Sequence, residues 1–186
     1  MVSGVDETAA LRQALQANPD LPPAGQVQAL AKAKAADVAS QVGPALVLGC
    51  DSMLELDGEV LGKPAGPEEA VRRIRQQAGR QATLHTGHCL INTGVPRAGC
   101  LAQAQGTASA LVRFGAMTDQ EISAYVATGE PLGVAGAFTI DGVGGPFVES
   151  IDGDHHAVVG VSLPLVRHLL AELGFNVMEL WRPGLL

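Results

Sequence analysis

Apolar and polar positions follow two periods along this chain, and the changes of period mark out its elements. Leu11 and Leu15 predict one face of a first helix, capped by Asp6 or Thr8. Asn18 to Gly25, with Pro19, Pro22 and Pro23, breaks it. Val27, Leu30, Ala31, Ala35 and Val38 then supply a helical stripe from about Gln26 to Gln41, with Lys34 on its flank. Ala45 to Cys50 is a continuous apolar run, short enough for a strand covered on both faces and ending in Asp51-Ser52. Met53 to Leu61 reads as a hairpin about Asp57-Gly58, and Gly62-Lys63-Pro64 follows as a loop.

Pro67 with Glu68 and Glu69 opens a third helix, which Gly79 stops. Thr83 to Thr93 and Gly106 to Phe114 predict long strands; Thr107, Ser109, Leu111 and Arg113 alternate as a solvated face would. Thr118 to Glu121 is a capping box for a helix that Gly129 ends. Short strands are expected at Ala137 to Ile140 and Pro146 to Ile151, a helix at Leu163 to Leu173, and a final strand at Phe175 to Trp181. Helices alternating with strands give an α/β class.

Composition narrows the function classes. The 186 residues suit one domain, and 47% hydrophobic residues with only 3% aromatics leave the packing to Ala, Val, Leu and Gly. A net charge of −7, without a basic stripe, excludes a nucleic-acid polymer as the expected partner. No apolar stretch is long enough to span a bilayer, and Met1 to Glu7 has no secretory pattern. Cys50, Cys89 and Cys100 lack CxxC spacing, so reduced thiols in the cytoplasm are expected. Lysines are rare, which makes the positions of Lys32, Lys34 and Lys63 informative.

Asp51 follows a buried strand directly, where ligands of open α/β sheets gather. There it could take a proton from water or hold a divalent cation, although Asp also commonly caps a turn through its own backbone. Lys63, on a Gly-Lys-Pro loop, suits an oxyanion, while a solvated loop lysine is the plainer reading. His85 and His88 are expected on opposite faces of a strand, and the neighbours His155 and His156 with separated side chains. Gly142, Gly144, Gly145 and Gly153 are read as tight-turn residues. Cys50, Ser52 and Cys89 lack a convincing base partner for nucleophilic chemistry.

Together these pieces resemble the Maf family. Cys50-Asp51-Ser52 followed by Leu61-Gly62-Lys63-Pro64 is similar to its Ala-Asp-Thr segment and Gly-Lys-Pro loop. Ala31 to Ala35 resembles its Glu-Lys-Ala helix with Lys34 on the lysine, and Val5 to Thr8 its Asp-Glu-Thr segment. Leu111 to Phe114, Glu121 to Tyr125, Gly129-Glu130-Pro131, Ala135 to Gly142, Phe147 to Glu149 and Val158 to Val161 continue the match in order.

The resemblance implies an elongated mixed sheet flanked by helices, with two lobes around a cleft, in a single domain over residues 1–186. It implies hydrolysis of nucleoside triphosphates to monophosphate and pyrophosphate, clearing non-standard or excess nucleotides, with Mg or Mn as a divalent cofactor. Asp51 is then the general base, Lys34 and Lys63 hold the triphosphate, Ser52 and Asp141 help select the base, and Glu7 lines the cleft and helps hold the cation. A homodimer is expected. The chain departs from the family pattern in several places. It has no Ser-Pro-Arg, so the N-terminal strand and phosphate loop are expected to be missing. Ser52 stands for Thr, Asp141 for Gln, and Gly133-Val134 for an Asp-Lys pair. These departures leave a non-catalytic, nucleotide-binding or cell-division-associated member as the alternative reading.

Overall fold

The structure, a computed structural model, describes residues 1–99 and 102–181. Cys100 therefore lies outside the described residues. The helices are α1 (Glu7–Ala17), α2 (Pro23–Ala39), α3 (Pro67–Gln77), α4 (Asp119–Ala127), α5 (His155–Val159) and α6 (Leu163–Glu172). The strands are β1 (Leu46–Leu56), β2 (Glu59–Leu61), β3 (Gln81–Asn92), β4 (Gln103–Phe114) and β5 (Val148–Gly153), ordered β2-β1-β3-β4-β5 in one sheet. This is the expected α/β class. β1 with β2 and β4 with β5 pair antiparallel. Two contacts per pair mark the same opposed running of β1, β3 and β4: Thr93 N–H with Ala45 O and Ser52 with Thr86, then Asn92 N–H with Ala102 O and His85 with Ser109. Among the described residues the sheet is antiparallel, where the resemblance implies a mixed one.

Local chemistry explains most element ends. Asp6 caps α1 by accepting from the Ala9 N–H at 2.9 Å. Pro23, tolerated at a first helical position, opens α2 earlier than the proline cluster predicts. Asp57 and Gly58 both take positive φ (53° and 84°), as a tight primed hairpin turn requires. Thr118 and Glu121 form the expected capping box.

Four expectations fail. Ala137 to Ile140 is not a strand: the chain turns at Ala135–Ala137, where Gly136 and Ala137 take positive φ (68° and 58°), a conformation that extended backbone does not allow. Val177–Leu180 is likewise a 3-10 turn, capped by Asn176, where a final strand was expected. The apolar run before Asp51 is not covered on both faces, since Leu48 is 38% exposed. Nor does that strand end at Asp51, because the long β3 carries pairing past it, Ser52 bonding Thr86 at 2.8 Å.

The chain divides into two compact units: Met1–Asp51, Gly87–Ala108 and Val161–Leu186 in the first, and Ser52–Thr86 and Ser109–Gly160 in the second. In the first, α2 covers one sheet face through Ala31, Ala35 and Cys89. Leu169, Leu170 and Leu173 pack with Leu90 and Ala104 in another core of that unit. In the second, Leu54, Leu56, Leu84, Val112, Phe114 and Phe138 form one core, and Ala70, Ile74, Ile122, Tyr125 and Val126 join α3 to α4 in another.

Candidate functional site

Glycine sets how closely α2 meets the sheet. A Cβ on Gly49 would lie 2.4 Å from the Ala31 carbonyl oxygen and 2.6 Å from the Ala35 nitrogen. A Cβ on Gly87 would lie 2.4 Å from the Val27 carbonyl oxygen. Both strands thus receive the helix backbone itself, a close approach that only a missing side chain permits. Asp51 leaves β1 on the same face as Gly49, two positions on. Lys34 lies beside Ala35 on the helix that Gly49 admits, so helix and strand deliver ammonium and carboxylate to one place.

There Lys34 Nζ donates to Asp51 Oδ1 in a short hydrogen bond and lies 2.8 Å from Glu7 Oε1. The segment before α1 fixes Glu7: Ser3 Oγ and the Gly4 N–H donate to Asp37 Oδ2 of α2 at 3.0 and 2.9 Å. The side chains of Lys34 and Asp51 are 19% and 11% exposed and that of Glu7 is 45% exposed, so the acids differ in access to water. Burial acts to lower the Lys34 pKa, but the hydrogen bonds it donates to Asp51 and then Glu7 more than offset it, and the pKa is raised. The ammonium is therefore charged at neutral pH. Three sequence-predicted residues, Lys34, Asp51 and Glu7, are brought together in the first unit. Burial, followed by the Asp51 carboxylate, pushes the neighbouring Cys50 thiol up to about 11, which leaves it a poor nucleophile.

Lys63, Ser52 and Asp141 belong to the second unit. Lys63 is exposed and has no ion-pair partner among the described residues, but its loop is held on both sides. The Gly62 carbonyl accepts from the Gly136 N–H at 3.1 Å and from Arg73 Nη1, while the Ala65 N–H donates to Glu69 at 2.7 Å. A cation on a pinned loop is available for an anion without first breaking an ion pair. Ser52 leaves β1 on the face opposite Asp51. Its hydroxyl meets Thr86 Oγ1, which donates its proton to the Ala157 carbonyl at 2.8 Å. Ser52 is therefore the donor to Thr86, and its remaining lone pairs can only accept.

Asp141 is exposed in a loop organised by Glu130. The Glu130 carboxylate accepts from the Val143 and Gly144 N–H groups at 2.9 and 3.0 Å and from Thr139 Oγ1 at 3.1 Å. Gly142 opens a tight turn, as expected, its carbonyl accepting from the Gly145 N–H at 3.1 Å, and it also permits this approach: a Cβ there would lie 2.3 Å from Glu130 Oε2. Burial acts to raise the Glu130 pKa, but the Val143 and Gly144 amides more than offset it, and the carboxyl sits below its ordinary 4.5. A depressed carboxyl contributes stability above its unfolded pKa and loses it as pH falls through the folded one. Glu130→Ala is expected to cost about 2 kcal/mol near pH 7. The gap in Tm between variant and wild type should close below pH 4.5; a gap independent of pH rejects the cradle.

His155 and His156 do not have separated side chains. Their rings lie 3.9 Å apart, because the Asp154 cap draws His156 back. Gly49, Gly87 and the Glu130 cradle escaped sequence reasoning. A glycine inside an apolar strand is itself a signal of close backbone approach.

The Maf profile, described as "Maf-like protein", matches residues 1–173. The chain belongs to the Maf family. Among its relatives, one from Streptomyces avermitilis is 57% identical over 87% of this chain and 77% of its own length. One from Streptomyces coelicolor is 53% identical over 99% of this chain and 84% of its own, and one from Nocardia farcinica 48% identical over 97% and 85%. All three carry the name nucleoside triphosphate pyrophosphatase. As a Maf chain, it has no described helix long and apolar enough to cross a membrane.

Proposed function

We propose that this chain hydrolyses nucleoside triphosphates to the monophosphate and pyrophosphate, clearing non-standard or excess nucleotides. The observation that carries the reading is the Lys34 ammonium shared between the Asp51 and Glu7 carboxylates. Asp51 takes a proton from water, the water oxygen bonds to the α-phosphorus, and the bond to the bridging oxygen breaks to release pyrophosphate. Lys34 is released from its acids to the phosphate oxygens, where a fixed cation stabilises charge growing in the transition state. Lys63 is the second phosphate cation in this reading. Ser52 and Asp141 meet the base, Ser52 as an acceptor toward a donor group on the ring.

A divalent cation, Mg or Mn, is part of the proposal. The donor set fits it, because two hard carboxylates already converge on one cation, and Mg usually takes one or two carboxylates plus phosphate oxygens and water. The more exposed Glu7 would hold it. When bound, the metal offsets phosphate charge.

We place the enzyme in the cytoplasm as a homodimer. The free Cys50 and Cys89 thiols fit a reducing compartment, and a net charge of −7 disfavours nucleic-acid polymers.

Turnover of a panel of canonical and modified nucleoside triphosphates tests the proposal. Pyrophosphate release with Mg or Mn is expected, and EDTA should abolish it, with activity restored by metal. Nucleotide binding without pyrophosphate release from any member would leave a non-catalytic binding protein instead.

A further inference from the structure

A second cluster of ligand-type side chains stands at the corner between β5 and α5. Donor atoms of Asp154, His155 and His156 all lie within 4.8 Å of one another. Asp154 Oδ1 accepts from the His156 N–H at 3.0 Å and lies 3.1 Å from His156 Nδ1. That contact turns the His156 ring toward the cap and leaves its Nε2 directed elsewhere, while the His155 ring stacks alongside at 3.9 Å. The side chains remain reachable, His156 being 42% and Asp154 20% exposed.

The corner is fixed at both ends. Gly153 pairs with Ala110 in the ladder between β4 and β5. The Ala157 carbonyl accepts from the fully buried Thr86 at 2.8 Å. Ligands presented by a rigid frame lose little freedom when an ion joins them, which favours binding.

We propose that Asp154, His155 and His156 form a binding site for a divalent transition-metal ion, and specifically for Zn²⁺. Two imidazoles and a carboxylate suit zinc and its neighbours, whereas magnesium prefers oxygen donors. Three protein ligands with water in the fourth position make a tetrahedral zinc site. This site differs in donor chemistry from the carboxylate pair at Lys34, and its occupancy does not depend on nucleotide hydrolysis.

Titration of the full chain with Zn²⁺ against a chromophoric chelator tests it. The wild type should take up zinc, and His155→Ala and His156→Ala should each weaken that uptake by about tenfold or more. His155 is exposed, so its removal leaves the fold intact. With Co²⁺ as the probe, paramagnetic broadening among the five histidines should fall on the rings of His155 and His156. Absence of uptake by the wild type, uptake unchanged by both substitutions, or broadening centred on other histidines overturns the site.

Discussion

Asp51→Asn is expected to lower kcat for pyrophosphate release by about 10²–10⁴-fold, with KM changed only a few-fold. The substitution removes the group proposed to take the proton from water and keeps its shape. Asparagine Oδ1 can still accept from Lys34, so the helix and strand stay joined. Some stability is nevertheless lost at neutral pH. The raised Lys34 pKa means that its pairing stabilises the fold below the ordinary lysine value of 10.5 and is lost as pH rises through the folded one. With both side chains largely but not wholly out of water, weakening that pair should cost about 1–2 kcal/mol. Steady-state kinetics and thermal melts on one preparation separate the two effects. A folded variant that retains turnover near the wild-type rate removes Asp51 from the role of base.

The parts of the fold legible in the sequence are those decided within a few residues. Asp57-Gly58 announces its turn because few other dipeptides tolerate two positive φ values. Thr118 and Glu121 announce a helix start because their bonds close within one turn. Where distant chain decides, local pattern misleads. Asp51 read as a strand end because the apolar run stops there, yet β3 sustains the ladder beyond it. The turn at Ala135–Ala137 carries apolar residues like a strand, and only positive φ at Gly136 and Ala137 excludes that form. In the candidate site, residue types marked Lys34 and Asp51, but their meeting across 17 positions of sequence depends on a helix seated on glycine. Adjacency alone predicts separated side chains for His155 and His156, but the Asp154 cap holds the His156 ring beside that of His155.

Gly49→Ala should both destabilise the first unit and disable the site. The added methyl would sit within 2.4–2.8 Å of Ala31 O, Ala35 N and Ala35 Cβ, and two of those atoms are backbone, so α2 itself must move. Overpacking of this kind costs about 1–3 kcal/mol, which in a chain of 186 residues lowers Tm by roughly 3–10 °C. The displaced turn carries Lys34, and a shift of about 1 Å at reacting groups costs on the order of 10²-fold in rate. Gly87→Ala separates position from stability. Its methyl would meet Val27 O at 2.4 Å, seven residues before Lys34 and so about 10 Å away along the helix. It should cost similar stability and much less activity. Gly43→Ala, with nothing within 4 Å of the new carbon, should change neither. The decisive comparison is kcat for the two strand variants, measured well below both melting temperatures. If Gly49→Ala and Gly87→Ala lose activity equally, the contact of α2 with β1 stabilises the unit without setting where Lys34 stands.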